Sequence, residues 1–157
     1  MIPITNLLKV QHVFHNLEAT NKEDVLATLI SSFKTEVGET ELAAIKESVF
    51  EREKIMSTGV GKGLAIPHGK VAGITQNYAA FALLKSPIDY NAIDGKPVSM
   101  VFLLVGPKQS NSLHIKMLSR ISRLMNDQVF RNKLQKCDSS EAIIHMFEQE
   151  VDEFFPD

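Results

Sequence analysis

Two strand-length runs rich in apolar residues, Tyr78 to Leu84 and Val98 to Val105, constrain this chain more than any other feature. A strand that is apolar at successive positions shows hydrocarbon on both faces, so both faces must be covered. Amphipathic helices stand on either side of the runs. Thr20 and Asn21 offer caps ahead of Val25, Leu26, Leu29, Ile30 and Phe33, which recur at helical spacing. Gly38 ends that helix, and Leu42, Ile45 and Val49 mark a second, whose Glu39 and Glu41 suit the positive end of its dipole. Beyond the runs, Ser110 or Ser112 caps a third helix with an apolar stripe from Leu113 to Met125. A short helix covers Val129 to Leu134, and Ser139 or Ser140 starts the last, with Ala142, Ile143, Met146 and Phe147 inward. A weaker alternation at 12–17 reads as a strand. Ser86-Pro87 and Asp94-Gly95 read as turns flanking a loop between the two runs. A sheet with helices on both faces is the economical arrangement.

Composition narrows the function classes. Apolar residues make up 44% and charged residues 23%, which removes collagen-like, low-complexity and disordered chains. The 17 basic and 19 acidic side chains are scattered, with a formal net charge of −2, so broad electrostatic capture of nucleic acid is not expected. No apolar run approaches the ~20 residues of a membrane span, and the first residues lack the basic start and apolar stretch of a signal peptide. The single cysteine, Cys137, forms no internal disulfide, which fits a reducing compartment. A cytoplasmic protein without membrane insertion is the expectation. The acidic end, Glu148, Glu150, Asp152, Glu153 and Asp157, reads as a solvated tail.

The segment from Ser57 to His68 breaks the pattern, because Gly59, Gly61 and Gly63 fall within five positions and no regular element tolerates that well. Such a loop can aim several N–H groups at one anion, and Lys62 adds a positive charge; the plainer reading is a flexible connection. Neither familiar nucleotide loop fits. A Walker A loop needs a hydroxyl residue after Lys62, where Gly63 stands, and a dinucleotide fingerprint needs glycine where Leu64 stands. His68 follows Pro67, which fixes the local backbone, and precedes Gly69, which leaves the ring without a bulky neighbour. A histidine so held can be a nucleophile, a base or a ligand, or simply a half-buried surface residue. His114 sits in the first turn of the third helix beside its apolar stripe, where a packing role competes with a place at an anion site. Arg52, in a mixed charge run, either forks onto a phosphate or pairs with a carboxylate. His12 and His15 have no accompanying acidic or cysteine ligand set, so no metal site is expected.

The run from Arg52 to Gly69, with Ser57-Thr58-Gly59-Val60-Gly61 inside it and Ile66-Pro67-His68 near its end, resembles the active-site signature of the enzyme IIA components of the bacterial phosphoenolpyruvate-dependent phosphotransferase system. The similarity is to the mannitol/fructose class, which includes the nitrogen-regulatory enzyme IIA proteins. Pro87-Ile88-Asp89-Tyr90, Asp94-Gly95-Lys96-Pro97-Val98 and the helix bearing Leu113, His114 and Leu118 extend it over nearly the whole chain. The resemblance implies a single three-layer α/β/α domain over residues 1–157, with a small mixed sheet and helices on both faces. It implies a phosphotransferase in which His68 accepts a phosphoryl group from phosphorylated HPr, or an HPr-like protein, and passes it to an enzyme IIB partner in sugar uptake. Arg52 and His114 would stabilise that group, while Thr58, Gly59, Gly61 and Gly63 would cradle it; no metal, nucleotide or other cofactor is implied. The alternative within the same class is a nitrogen-regulatory enzyme IIA, in which phosphorylation of His68 controls binding to transporter or kinase targets. Residues 94–98 lean toward the sugar branch, and the length of the chain fits the regulatory branch equally well.

Overall fold

A computed structural model describes residues 4–154, with side chains described through Val151. Short 3-10 turns at Ile4–Asn6 and Val10–His12 lead into β1 (Val13–Leu17), followed by α1 (Lys22–Ser31) and α2 (Glu39–Ile55). Three short strands come next: β2 (Gly59–Gly61), β3 (Leu64–Ala65) and β4 (His68–Val71). The long strands β5 (Tyr78–Ile88) and β6 (Val98–Pro107) precede α3 (Asn111–Met125), α4 (Gln128–Gln135) and α5 (Ser140–Phe154).

One six-stranded sheet runs in the order β1-β5-β6-β3-β2, and β4 joins β6 on the same edge as β3. The sheet is mixed. β5 and β6 are antiparallel, as are β2 and β3, whereas β1 lies parallel to β5 and both β3 and β4 lie parallel to β6. The apolar runs have the expected cause. Ala80, Ala82, Leu84, Val101, Leu103 and Val105 face α1 and α2, while Ala79, Phe81, Leu83, Met100, Phe102 and Leu104 face the three C-terminal helices. On the second face Phe147 of α5 packs edge-on against Phe81, Phe102 and Phe130, with ring centroids 5.1, 5.7 and 5.2 Å away. The three-layer α/β/α expectation therefore holds.

Caps fix the helix starts. The side chain of Asn21 accepts from the Asp24 N–H, Asp127 from Phe130, and Ser139 from Ala142. Ser110 stands at the start of α3 without a side-chain cap bond. Three expectations need correction. Ser86-Pro87 does not turn the chain: β5 continues to Ile88, and the irregular stretch is absorbed as a register shift between Leu83 and Ile88. Gly59 to Gly61 is a strand rather than an irregular loop, because the tight reversal falls instead at Lys62 and Gly63, both at positive φ. Glu150 is not part of a solvated tail: it is 4% exposed and pairs with Lys133 Nζ at 2.8 Å, tying α5 to α4. The side chains of Asp152 and Glu153, and all of Asp157, lie outside the described residues.

Among the described residues no helix is long and apolar enough to cross a membrane.

Candidate functional site

Three elements converge on a cleft of about 730 Å³. The C-terminal half of α2 brings Ser48 and Arg52, β4 brings His68 and Lys70, and the first turns of α3 bring Asn111, His114 and Ile115. Gly69 sets the closeness of the first two. A Cβ at Gly69 would lie 2.8 Å from Ser48 Oγ and 3.2 Å from Val49 Cγ2, so only glycine lets α2 lie directly on β4. The contact is completed by Ser48 Oγ, which donates to the Lys70 carbonyl at 2.8 Å. Arg52 stands one helical turn beyond Ser48 on the same face, over the cleft. The glycine after His68 thus serves helix packing rather than freedom for the ring.

His68 begins β4 opposite Leu104 and is half-buried. Its Nδ1 lies 3.0 Å from the carbonyl oxygen of Ile66. A carbonyl only accepts, so Nδ1 carries the proton and Nε2 keeps its lone pair. Burial holds the His68 pKa below its ordinary value, and the charges of Arg52 and Lys70 add to the effect against the opposing Ile66 hydrogen bond and Glu53. The ring is therefore neutral near pH 7, with a nucleophilic nitrogen.

His114 faces it, with ring centroids 5.9 Å apart and planes at 52°. It is almost wholly buried and its pKa is lowered to about 4, first by desolvation and then by His68 and Lys70. Arg52 donates through Nη1 to the Met56 carbonyl at 2.8 Å, which closes the end of α2 and holds the guanidinium beside the cleft. Lys54, Lys70 and Lys108 also line the cleft, against one carboxylate, Glu51. Lys70 Nζ donates to Asn111 Oδ1 at 2.6 Å, linking β4 to the start of α3. Sequence reasoning had not picked out Lys70 or Lys108; the position of Lys70 two residues after His68, on the same side of a strand, was the available signal. The arrangement suits an anion: a neutral nucleophilic nitrogen, a fork of donors, further cations and a helix N-terminus.

The structure brings Arg52, His68 and His114 together, and it places Thr58, Gly59, Gly61 and Gly63 elsewhere. None of these four lines the cleft. Thr58 is buried under the hairpin, where its N–H lies 3.1 Å from both carboxylate oxygens of Glu53 and its hydroxyl donates to Glu53 Oε1 at 2.9 Å. Lys22 Nζ at 3.4 Å from Glu53 and the Tyr90 hydroxyl at 3.1 Å from Thr58 Oγ1 complete that network. The Gly59 N–H donates to Ser57 Oγ, the Lys62 N–H donates to Asp94 Oδ2, and the Gly63 carbonyl accepts from Ser99 and Met100. Those two N–H groups and that carbonyl are engaged within the hairpin and its neighbour loop. The expected cradle residues thus lie outside the cleft lining; Gly59 serves packing, since a Cβ there would fall 2.8 Å from Ala92, while Gly61 and Gly63 take the positive φ that the reversal requires.

The fold and the cleft define an α/β protein built around a cation-lined cleft that holds a pair of histidines. The chain belongs to the enzyme IIA type 2 family, whose model, described as "Phosphoenolpyruvate-dependent sugar phosphotransferase system, EIIA 2", matches residues 6–150. A nitrogen regulatory protein of Bradyrhizobium diazoefficiens is 37% identical over 142 residues, covering 90% of this chain and 92% of its own. The fructose-specific EIIABC component of Bacillus subtilis is 34% identical over 93% of this chain, which spans only 23% of that protein. The crystal structure of nitrogen regulatory protein IIA-Ntr from Neisseria meningitidis superimposes with a TM-score of 0.85 at 31% identity, covering 92% of this chain and 98% of that one.

Proposed function

We propose that the chain is a phosphocarrier that accepts a phosphoryl group on His68 Nε2 from a phosphohistidine of HPr or an HPr-like protein. The observation that carries this is the Nδ1 to Ile66 carbonyl bond at 3.0 Å, which leaves Nε2 as the nucleophile beside Arg52 and His114. The Nε2 lone pair forms the new N–P bond as the donor's N–P bond breaks, and that electron pair returns to the donor imidazole. Arg52 spreads the charge on the equatorial oxygens and His114 lies within reach of one of them, so the site acts mainly by positioning and neutralising. Ile55 and Ile115, 81% and 56% exposed at the rim, supply apolar surface for an incoming protein donor.

Phosphorylation adds about two negative charges to this rim. The full-length likeness to proteins named nitrogen regulatory protein favours a regulatory output, in which the phosphorylation state of His68 controls binding to a transporter or kinase target. The 34% identity to a fructose-specific component favours the second reading, transfer to an enzyme IIB in sugar uptake. Incubation with phosphorylated HPr tests the first step: the wild type becomes labelled, a His68→Ala variant does not, and labelling that survives in the variant removes His68 from the role. Chasing labelled protein with purified enzyme IIB separates the outputs, since label moves to IIB in the sugar reading and stays on His68 in the regulatory one.

A further inference from the structure

Asn77 and His114 carry polar atoms that are buried without a hydrogen-bond partner among the described residues: Oδ1 of Asn77 and both ring nitrogens of His114. Asn77 is 8% exposed and His114 only 2%, so neither is satisfied simply by bulk water. They come from separate parts of the chain. Asn77 immediately precedes β5, whose Tyr78 pairs with Val105, so the next step of the antiparallel ladder sets Asn77 beside Gly106. His114 descends onto the same residue from α3. A Cβ on Gly106 would lie 2.6 Å from Asn77 Oδ1 and 3.1 Å from His114 Nδ1. Both atoms therefore crowd the space over one glycine, and a side chain at 106 would evict one of them.

We propose that Asn77 is a positioning residue for His114: a small rotation of either side chain over Gly106 lets Asn77 Oδ1 accept the Nδ1 proton, which fixes the tautomer and orientation of the ring in the cleft. The role rests on the phosphocarrier reading above. His68 already shows this mode of anchoring, with its Nδ1 3.0 Å from the Ile66 carbonyl oxygen. In His114 this leaves Nε2 for the ligand. Nε2 takes a proton from solvent when a phosphoryl dianion arrives and donates it to a phosphoryl oxygen, while Asn77 holds the other N–H of the imidazolium. His68 and Lys70, the charged or titratable groups acting on His114, oppose that proton until the dianion is present.

Imidazole 15N spectra of the unphosphorylated chain near pH 7 test the link directly. The wild type shows His114 protonated at Nδ1. In Asn77→Leu the tautomer ratio shifts toward Nε2–H by at least twofold, and phosphorylation by phospho-HPr slows about tenfold, the effect of one lost hydrogen bond. Asn77→Asp restores the Nδ1–H form and raises the protonation midpoint of His114 above the wild-type value. A wild-type His114 protonated at Nε2, or an unchanged tautomer in Asn77→Leu, overturns the proposal. If the Leu variant fails to fold, the wild-type and Asp spectra decide. A wild type that shows the Nδ1–H tautomer yet takes no label from phospho-HPr upholds the contact and removes the phosphocarrier reading instead.

Discussion

The imidazole rings of His68 and His114 lie 5.9 Å apart, and burial holds both below the usual histidine pKa. Linkage gives this a sign. Between about 4 and 6.5 the His114 of the unfolded chain is protonated and that of the folded chain is not. The unfolded state binds more protons there, so stability rises with pH across that window and is lost as pH falls through it. His68, lowered in the same direction, adds to the slope. Full titration of His114 across that window changes stability by roughly 3 kcal/mol. Urea unfolding of wild type and His114→Gln from pH 4 to 7 checks this: the variant shows the shallower slope, and equal slopes refute the assignment.

Thr58 spends its N–H and its hydroxyl on the buried carboxylate of Glu53. Thr58→Val keeps the shape and removes one donor from that carboxylate, for an expected loss of about 1–3 kcal/mol. Because the hydroxyl faces the network and not the cleft, the rate of His68 labelling in the folded variant stays within about twofold of wild type. A tenfold slower rate at unchanged stability restores Thr58 to the phosphate site.

Gly69 lets α2 approach β4, with Ser48 Oγ only 2.8 Å from the position of an added Cβ. Gly69→Ala forces the helix outward or distorts Ser48, at a cost of about 1–3 kcal/mol in chemical denaturation. Arg52 rides on the same helix, so labelling also slows, and by more than stability alone explains. A Gly69→Ala protein with wild-type labelling kinetics shows that the Arg52 position tolerates the shift.

Much of the architecture is readable along the chain because it follows from local periodicity. The stripes of α1 and α3, and the doubly apolar runs of β5 and β6, each report which faces are covered, and one covering layer per face is the remaining arithmetic. His68, His114 and Arg52 are readable as candidates through their motif context. The misreadings occur where a local signal is overruled by partners distant in sequence. Ser86-Pro87 is a turn signal inside a strand because a β-bulge accommodates it at the end of the β5–β6 ladder. Three close glycines suggested a phosphate nest, yet Ser57 and Asp94 take N–H groups of that hairpin and Ser99 donates to one of its carbonyls.

Residue type and spacing therefore determined the helices and the central strands and marked His68 as a candidate, while its proposed role came from the family resemblance. The packing of the layers decided which nitrogen of His68 is free, where Thr58 points and that Asn77 and His114 share the space over Gly106. Those outcomes depend on contacts between residues tens of positions apart, and hydrogen-bond direction, burial and the room over a glycine exist only once the layers close.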